Sequence, residues 1–170
     1  MAITLIATEG AANANSYLTL AEADSYLEAH LKSSFWSALD DEAKKAALIS
    51  ATRELDLIIY AGRKSTQAQA LQWPRLSIYD RDGYAVTGVP KLLKDAVCEQ
   101  VMHELTEDEN IASDFDLENL ESVEVGPLKY KMRAGLKSGL PDDVADRLNA
   151  ISPSLIVEGE DSPSAKVMFL

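Results

Sequence analysis

Cysteine, histidine and basic residues are scarce in this chain. Its 170 residues include one cysteine, Cys98, and two histidines, while Lys and Arg total 16 against 28 Asp and Glu. A single cysteine excludes an internal disulfide framework and a multi-cysteine zinc site. The net charge of −12 disfavours a protein that coats nucleic acid or docks on anionic membranes, because both kinds of binding depend on positive charge.

Long apolar runs are also missing. No stretch approaches the ~20 residues needed to span a bilayer, and the first residues lack the basic and apolar regions of a secretory leader. We therefore expect a soluble protein suited to a reducing compartment. Hydrophobic residues still make up 46% of the chain, which is enough to fill the core of one domain.

Apolar residues recur every three or four positions in four segments, the pattern of amphipathic helices. Thr19 and Glu22 form a capping box at the start of the first, since each side chain can satisfy a free backbone N–H of a helix end. The sequence thus predicts a mainly α protein, a small bundle of about four helices, with the second helix at its centre. The predicted helices cover residues 20–32, 41–61, 90–106 and 141–151.

Two predicted features interrupt or follow the bundle. Residues 104–124 contain nine acidic residues and no Lys or Arg, and alternating apolar residues in 123–132 predict a short β-hairpin. We therefore predict a helical domain over residues 1–151, with an acidic connector and hairpin at 104–132. Residues 152–170, punctuated by Pro, Ser and Gly, are predicted to form an extended C-terminal arm.

The predicted arm keeps two apolar clusters, which a purely disordered tail usually lacks. We expect these clusters to dock on a neighbouring subunit or another partner. The alternative is that the arm folds back and covers its own domain. The candidate partner-binding residues are Leu155, Ile156, Val157, Val167, Met168, Phe169 and Leu170.

No catalytic, cofactor or metal site is predicted, so we do not expect an enzyme. Gly62-Arg63-Lys64 lacks the earlier glycine and the strand-to-helix context of a phosphate-binding loop. The turn at residues 80–83 lacks the further ligands of a calcium loop. The histidines stand alone on different predicted helices, and Cys98 lies among apolar neighbours as a small core residue.

Aromatic and basic residues are interleaved between residues 63 and 81. Proteins that bind single-stranded DNA stack bases on aromatic rings and track phosphates with cations. The alternative is that the aromatic residues cover an edge of the core while the arginines are solvated. The candidate contacts for DNA or a neighbouring subunit are Arg63, Lys64, Trp73, Arg75, Tyr79 and Arg81.

Several stretches, taken together and in order, resemble a tailed-phage family described as DnaT-like single-stranded DNA-binding proteins. They are ANANSY at 12–17, AEADSY at 21–26, GRK at 62–64, ALQWPR at 70–75, YDRDG at 79–83, VPKLLKDAVCE at 89–99 and VGPL at 125–128. The resemblance covers about residues 1–132. Members of this family are similar to head-to-tail adaptor, or connector, proteins.

The resemblance implies a structural virion protein of a bacteriophage. Such an adaptor forms a homo-oligomeric ring, usually twelvefold, that joins the portal protein to a stopper or tail-terminator protein. Double-stranded DNA passes through the lumen of the ring, where an acidic surface would repel the duplex and let it slide. The protein would then lie in the neck of the virion, and in the host cytoplasm during assembly.

The alternative function is that of a replication accessory protein that binds single-stranded DNA. It would use the aromatic and basic residues between 63 and 81. A ring subunit instead needs two different complementary surfaces, and the basic region near residues 63–81 and the acidic residues 107–124 are candidates for such a pair. Both hypotheses remain open at the level of the sequence.

Overall fold

The computed structural model describes residues 2–114, 140–152 and 155–156. Within these ranges the chain forms five α-helices and one antiparallel pair of two-residue strands, which confirms the mainly helical class. The elements are, in order, α1 (Leu20–Leu27), α2 (Ser33–Ser37), α3 (Asp41–Asp56), β1 (Arg63–Lys64), β2 (Arg75–Leu76), α4 (Lys91–Asp114) and α5 (Asp142–Ile151).

Helix α4 is the centre of the bundle, because it packs against α1, α2, α3 and α5. Leu93, Val97 and Val101 recur every fourth residue along it and are completely buried, so one stripe of the helix fills the core. The prediction that the second predicted helix is central was wrong. That helix, α3, supplies one flank of the core instead.

The capping box predicted for the first helix is confirmed, and of the two residues that could cap the second helix, Asp40 and Ser37, the structure uses Asp40. Thr19 and Glu22 form the capping box of α1, and the Asp40 carboxylate accepts a hydrogen bond from the backbone N–H of Ala43 at the start of α3. The predicted end of the first helix at residue 32 was wrong. Helix α1 stops at Leu27, and Leu31 is fully exposed.

The short helix α2 was missed, and one tryptophan explains why the chain forms it. Trp36 is completely buried, and its Nε1 donates a hydrogen bond to Asp24 Oδ1 at 2.8 Å. Lys44 Nζ lies 5.1 Å from the centre of the same ring. The chain turns after α1 because this turn brings Trp36 back into the core, where its large apolar area is removed from water.

The predicted end of the second helix at residue 61 was also wrong. Helix α3 ends at Asp56, because the backbone of residues 60–62 makes other contacts. Tyr60 pairs with Ile156 in an antiparallel bridge, and the carbonyls of Tyr60, Ala61 and Gly62 accept hydrogen bonds from Arg75. Helix α4, by contrast, continues to Asp114, beyond its predicted end at 106.

Two predicted features fall wholly or mainly outside the described residues. The hairpin at 123–132 lies there, and so do Val157, Val167, Met168, Phe169 and Leu170 of the arm. The antiparallel pair that is observed joins β1 to β2, with Arg63 opposite Leu76 and Lys64 opposite Arg75. None of the helices in the described residues has the combination of length and hydropathy that a membrane-spanning helix needs.

Candidate functional site

Four short extended segments lie side by side and contain most of the predicted contact residues. Antiparallel pairings join Tyr60 to Ile156, β1 to β2, and Tyr79 to Ala85. The order across this group is therefore 155–156, 60–64, 75–80 and 84–86, and we call these four segments the β layer. The β layer positions each candidate residue either inward, against the helical core, or outward.

Leu155, a predicted partner-binding residue, lies on the inner side of the β layer. Its side chain is completely buried in the core of its own domain, and its carbonyl accepts a hydrogen bond from Ala61 N at 2.7 Å. Ile156 is partly buried and packs against the same core. The prediction that Leu155 docks on a neighbour is thus wrong in this structure, because this side chain fills a place in the core of its own domain. For Ile156, which stays partly exposed, docking remains a prediction.

Trp73, the candidate for base stacking, points into the core and is 1% exposed. Its ring meets that of Tyr60 edge to face, with 5.7 Å between the ring centroids, a favourable aromatic geometry. The peptide bond between Trp73 and Pro74 is cis. A buried ring has no face to offer a base, so Trp73 anchors the β layer to the helices.

Arg75, the candidate for a phosphate contact, is also buried, with 7% of its surface exposed. Its five N–H groups donate hydrogen bonds to the carbonyls of Tyr60 (3.0 Å), Ala61 (2.7 Å), Gly62 (3.0 Å) and Gln72 (3.3 Å), and to Gln72 Oε1 (3.0 Å). Burial lowers the pKa of this guanidinium, although the neighbouring Tyr17, Tyr60 and Asp56 act in the opposite direction. Arg75 therefore fastens two loops together and has no donors left for DNA.

Gln69 organises the loop between β1 and β2 in a similar way. This residue is 3% exposed. Its Oε1 accepts from the Ser65 hydroxyl and the Thr66 N–H, and its Nε2 donates to the carbonyls of Leu71 and Pro74. Every one of these bonds lies within the loop, so Gln69 replaces the regular ladder that a two-residue strand pair cannot supply.

The ANANSY stretch near the N-terminus is likewise structural. Asn15 accepts from Ile6 N (2.7 Å) and donates to the Thr4 carbonyl (2.8 Å), which holds the first residues in place. The Tyr17 hydroxyl donates to Asp56, whose carboxylate also accepts from Gln72 N at 2.7 Å. Burial and this carboxylate raise the pKa of Tyr17. The residues of this stretch, on which the resemblance to the DnaT-like family partly rests, stabilise the fold and do not form a binding site.

The other candidate residues face outward. Arg63 and Arg81 are exposed, Lys64 is partly exposed, and Tyr79 is 57% exposed. Two further exposed apolar side chains accompany them, Leu76 at 43% and Tyr84 at 73%. We call six exposed residues of the β layer and its turn the outer face: Arg63, Leu76, Tyr79, Arg81, Tyr84 and Ala85. The exposed Asp82 lies beside Arg81 in the turn.

Backbone geometry explains why Leu76 and Tyr79 are both exposed although they lie three positions apart in the chain. In a regular strand such residues would lie on opposite faces. Ser77 has φ of 62°, in the left-handed region, and this interrupts the alternation. Ile78 is consequently buried while Leu76 and Tyr79 both lie outward. This kink could not be predicted from local pattern, because serine is not a residue that marks a left-handed position.

The turn at residues 80–83 is a hydrogen-bonded turn, as predicted. Asp80 Oδ1 accepts from the N–H groups of Asp82 (3.0 Å) and Tyr84 (2.8 Å), and Gly83 adopts φ of 85°. This carboxylate is therefore occupied by the backbone. Among the described residues, no group of three or more His, Cys, Asp or Glu side chains is placed to hold a metal ion.

Glu99 joins three helical regions in a way that sequence spacing did not reveal. Its carboxylate accepts from the Tyr26 hydroxyl and from Arg147 Nη2, each at 2.6 Å, and His30 Nε2 lies 3.6 Å away. Burial, followed by this carboxylate, raises the pKa of Tyr26. Glu99 is 6% exposed. These contacts of Glu99 link α1, α4 and α5. The side chains involved bind one another and do not line a pocket.

An open groove of about 350 Å³ lies beside the N-terminal segment. Its lining is mostly apolar or hydroxyl-bearing, and its one cation, Lys45, pairs with Glu42 at 2.8 Å. The lining contains no carboxylate, histidine or cysteine that could act as a base or nucleophile. The lining residues are Ile3, Thr4, Leu5, Ala7, Thr19, Leu20 and Lys45.

Comparison with known proteins identifies the family. The chain matches, over residues 1–166, the model of a family described as "Putative DnaT-like ssDNA binding protein". No curated protein matches the chain, and no solved structure does. The match extends over the helical bundle and the β layer, which include the stretches that carry the resemblance. The chain therefore belongs to this DnaT-like family.

Proposed function

We propose that the protein is a structural adaptor of a tailed-phage neck. In this proposal its copies form a ring, twelvefold when assembled, between the portal protein and a stopper or tail-terminator protein. The observation that carries it is the division of the candidate residues by burial. Trp73 and Arg75, the pair best suited to hold single-stranded DNA, are buried. The outer face instead exposes tyrosines and arginines, residue types that are enriched at protein interfaces.

The charge of the chain supports the same proposal. At −12 the protein lacks the excess of cations that gives nucleic-acid binders their affinity. A ring of such subunits would surround the DNA with a negative potential, and the duplex could pass without adhering to the wall. The role needs no catalysis, which agrees with our expectation that the protein is not an enzyme.

Reconstitution with portal-bearing capsids tests this function. The purified chain is mixed with DNA-filled capsids that carry the portal but lack neck proteins, and the particles are imaged by electron microscopy. We expect a ring of added density at the portal, and none on capsids assembled without the portal. Absence of the chain from portal-bearing particles at saturating concentration would refute the adaptor role.

Binding of single-stranded DNA is the second candidate function, and the description of the family favours it. The remaining side chains for it are Tyr79 for stacking and Arg63 and Arg81 for phosphates, all on the outer face. A fluorescence-anisotropy titration with a labelled oligonucleotide tests this candidate. Affinity that falls steeply with salt, and that is lost in an Arg63→Ala, Arg81→Ala variant, would favour it over the adaptor.

A further inference from the structure

The outer face combines exposed apolar side chains with cations. Leu76 and Tyr79 are 43% and 57% exposed, and Tyr84 beside them is 73% exposed. Arg63 stands directly opposite Leu76 in the β1–β2 pair, and Arg81 lies at the tip of the adjoining turn. Large apolar side chains exposed together in one small element are a mark of an interaction surface.

The charge of the outer face limits the kind of partner that this surface can bind. Residues 62–94 contain six basic and two acidic residues, a net charge of +4 in a chain of net charge −12. Asp80, one of the two acids, is already engaged by backbone N–H groups. Three of these six cations do not contribute to the outer face, because Arg75 is buried while Lys91 and Lys94 lie on α4 and pair with Asp95 and Glu22. The outer face itself exposes Arg63 and Arg81 beside the partly exposed Lys64, against one exposed acid, Asp82. This excess of cations in a strongly acidic chain favours an acidic partner with apolar side chains.

The chain itself contains a segment of that chemistry. Residues 104–124 hold nine acids and no Lys or Arg. Among them, Phe115, Leu117 and Leu120 are each followed or preceded by an acidic or amide residue. This acidic and apolar alternation matches an outer face of arginines, tyrosines and a leucine.

We propose that the outer face of one copy binds the acidic segment, residues 104–124, of a second copy. The two surfaces are different, so each copy offers one of each and the contact is head to tail. Repeated by rotation, such a contact closes into a ring. The inference deepens the proposed adaptor function and rests on it for the biological role of the ring, but the contact between copies can be measured alone.

A charge swap between two variants tests the contact. One variant carries Arg63→Glu and Arg81→Glu, and the other carries Glu118→Arg and Glu121→Arg. Self-association is followed by sedimentation velocity over a range of protein concentrations at 0.05–0.3 M salt. We expect the native chain to associate with a salt-dependent affinity, and each variant alone to associate at least about tenfold more weakly, because attraction becomes repulsion.

Mixing the two variants distinguishes a contact between copies from one within a copy. Each variant then meets a neighbour of opposite charge, so we expect the mixture to regain most of the native affinity. Loss of association that the mixture does not restore would show that these two surfaces do not pair between copies, and would overturn the proposal. A native chain that stays monomeric at all concentrations would overturn it as well.

Control variants keep the result interpretable. Lys32→Glu with Arg53→Glu makes the same change in net charge at two exposed residues outside the β layer, and should leave association unchanged. Melting temperatures confirm that every variant folds. A Leu76→Ser, Tyr79→Ser variant should weaken association at every salt concentration, since it removes apolar contact. If the face variants reduce oligonucleotide binding and leave self-association unchanged, the face serves DNA and the proposal is wrong.

Failure of this inference and failure of the adaptor function give different results. A successful charge swap with no binding to portal-bearing capsids would leave the contact established and refute the adaptor role. Binding to those capsids that is unaffected by the face variants would refute only this contact.

Discussion

Replacing Arg75 by Ala should destabilise the fold without removing a binding group. The guanidinium joins residues 60–62 to Gln72, and its bond to the Tyr60 carbonyl is fully buried. A buried acceptor left without a donor costs about 1–3 kcal/mol, and the other, partly buried bonds contribute about 0.5–1.5 kcal/mol each. Water can replace some of the latter. We therefore expect the free energy of unfolding to fall by about 3–5 kcal/mol.

Urea denaturation followed by circular dichroism measures this change. The matched control is Arg63→Ala, which removes an exposed arginine from the neighbouring strand and should alter the free energy of unfolding by less than about 0.5 kcal/mol. Arg75→Lys should recover only part of the loss, because one ammonium cannot reach the carbonyls that the planar guanidinium spans. Equal stability of the Arg75→Ala and Arg63→Ala proteins would refute the structural role assigned to Arg75.

Four further predictions follow from burial and charge. Trp73→Ala should lower the free energy of unfolding by ~3–5 kcal/mol, whereas Tyr84→Ala should change it by less than ~0.5 kcal/mol; equal effects in urea would contradict the assigned burial. Leu155→Ala should lower the free energy of unfolding by ~2–5 kcal/mol. An unchanged midpoint of urea denaturation would show that the side chain of residue 155 does not lie in the core. Burial raises the pKa of Cys98 to about 12, so thiol reagents should modify it only at the rate of unfolding; rapid labelling of native protein would refute this. The hydrogen bond from Lys94 lowers the pKa of Glu22, so ionised Glu22 stabilises the fold at any pH above its unfolded pKa, near 4.5. This stabilisation is lost as the pH falls through the lower pKa that Glu22 has in the folded protein. Thermal unfolding should therefore show that the Glu22→Gln protein is less stable than the native protein at pH 7 and loses less stability on acidification.

The helical part of the fold could be predicted from local pattern. Apolar residues at every fourth position of α4 fill the core, and the caps at Thr19 and Asp40 depend on side chains within three residues of the backbone groups they satisfy. Such interactions join residues that are close together in the chain, so they can be predicted from sequence spacing alone. The helix ends were predicted less well, since competing partners far along the chain decide them.

The candidate site shows the limit of the same approach. Trp73 and Arg75 have the chemistry of a DNA contact, and their positions beside Tyr79 and Arg81 in the sequence suggested one surface. Tertiary contacts instead turn the first two inward, because the ring of Trp73 and the guanidinium of Arg75 both meet Tyr60 and its neighbours. The kink at Ser77 then places Tyr79 outward. No local pattern predicts that Trp73 is buried while Tyr79, six positions later, is exposed.

The sequence by itself determined the family, the helical class, the acidic character and the lack of a cysteine framework. These depend on composition and on spacing within one or two helical turns. The tertiary structure alone decided that α4 is the centre, that Leu155 returns to its own core, and that Arg75 is a structural residue. Each of these results from contacts between residues more than ten positions apart, where the free energy gained by burial and hydrogen bonding depends on which segments meet.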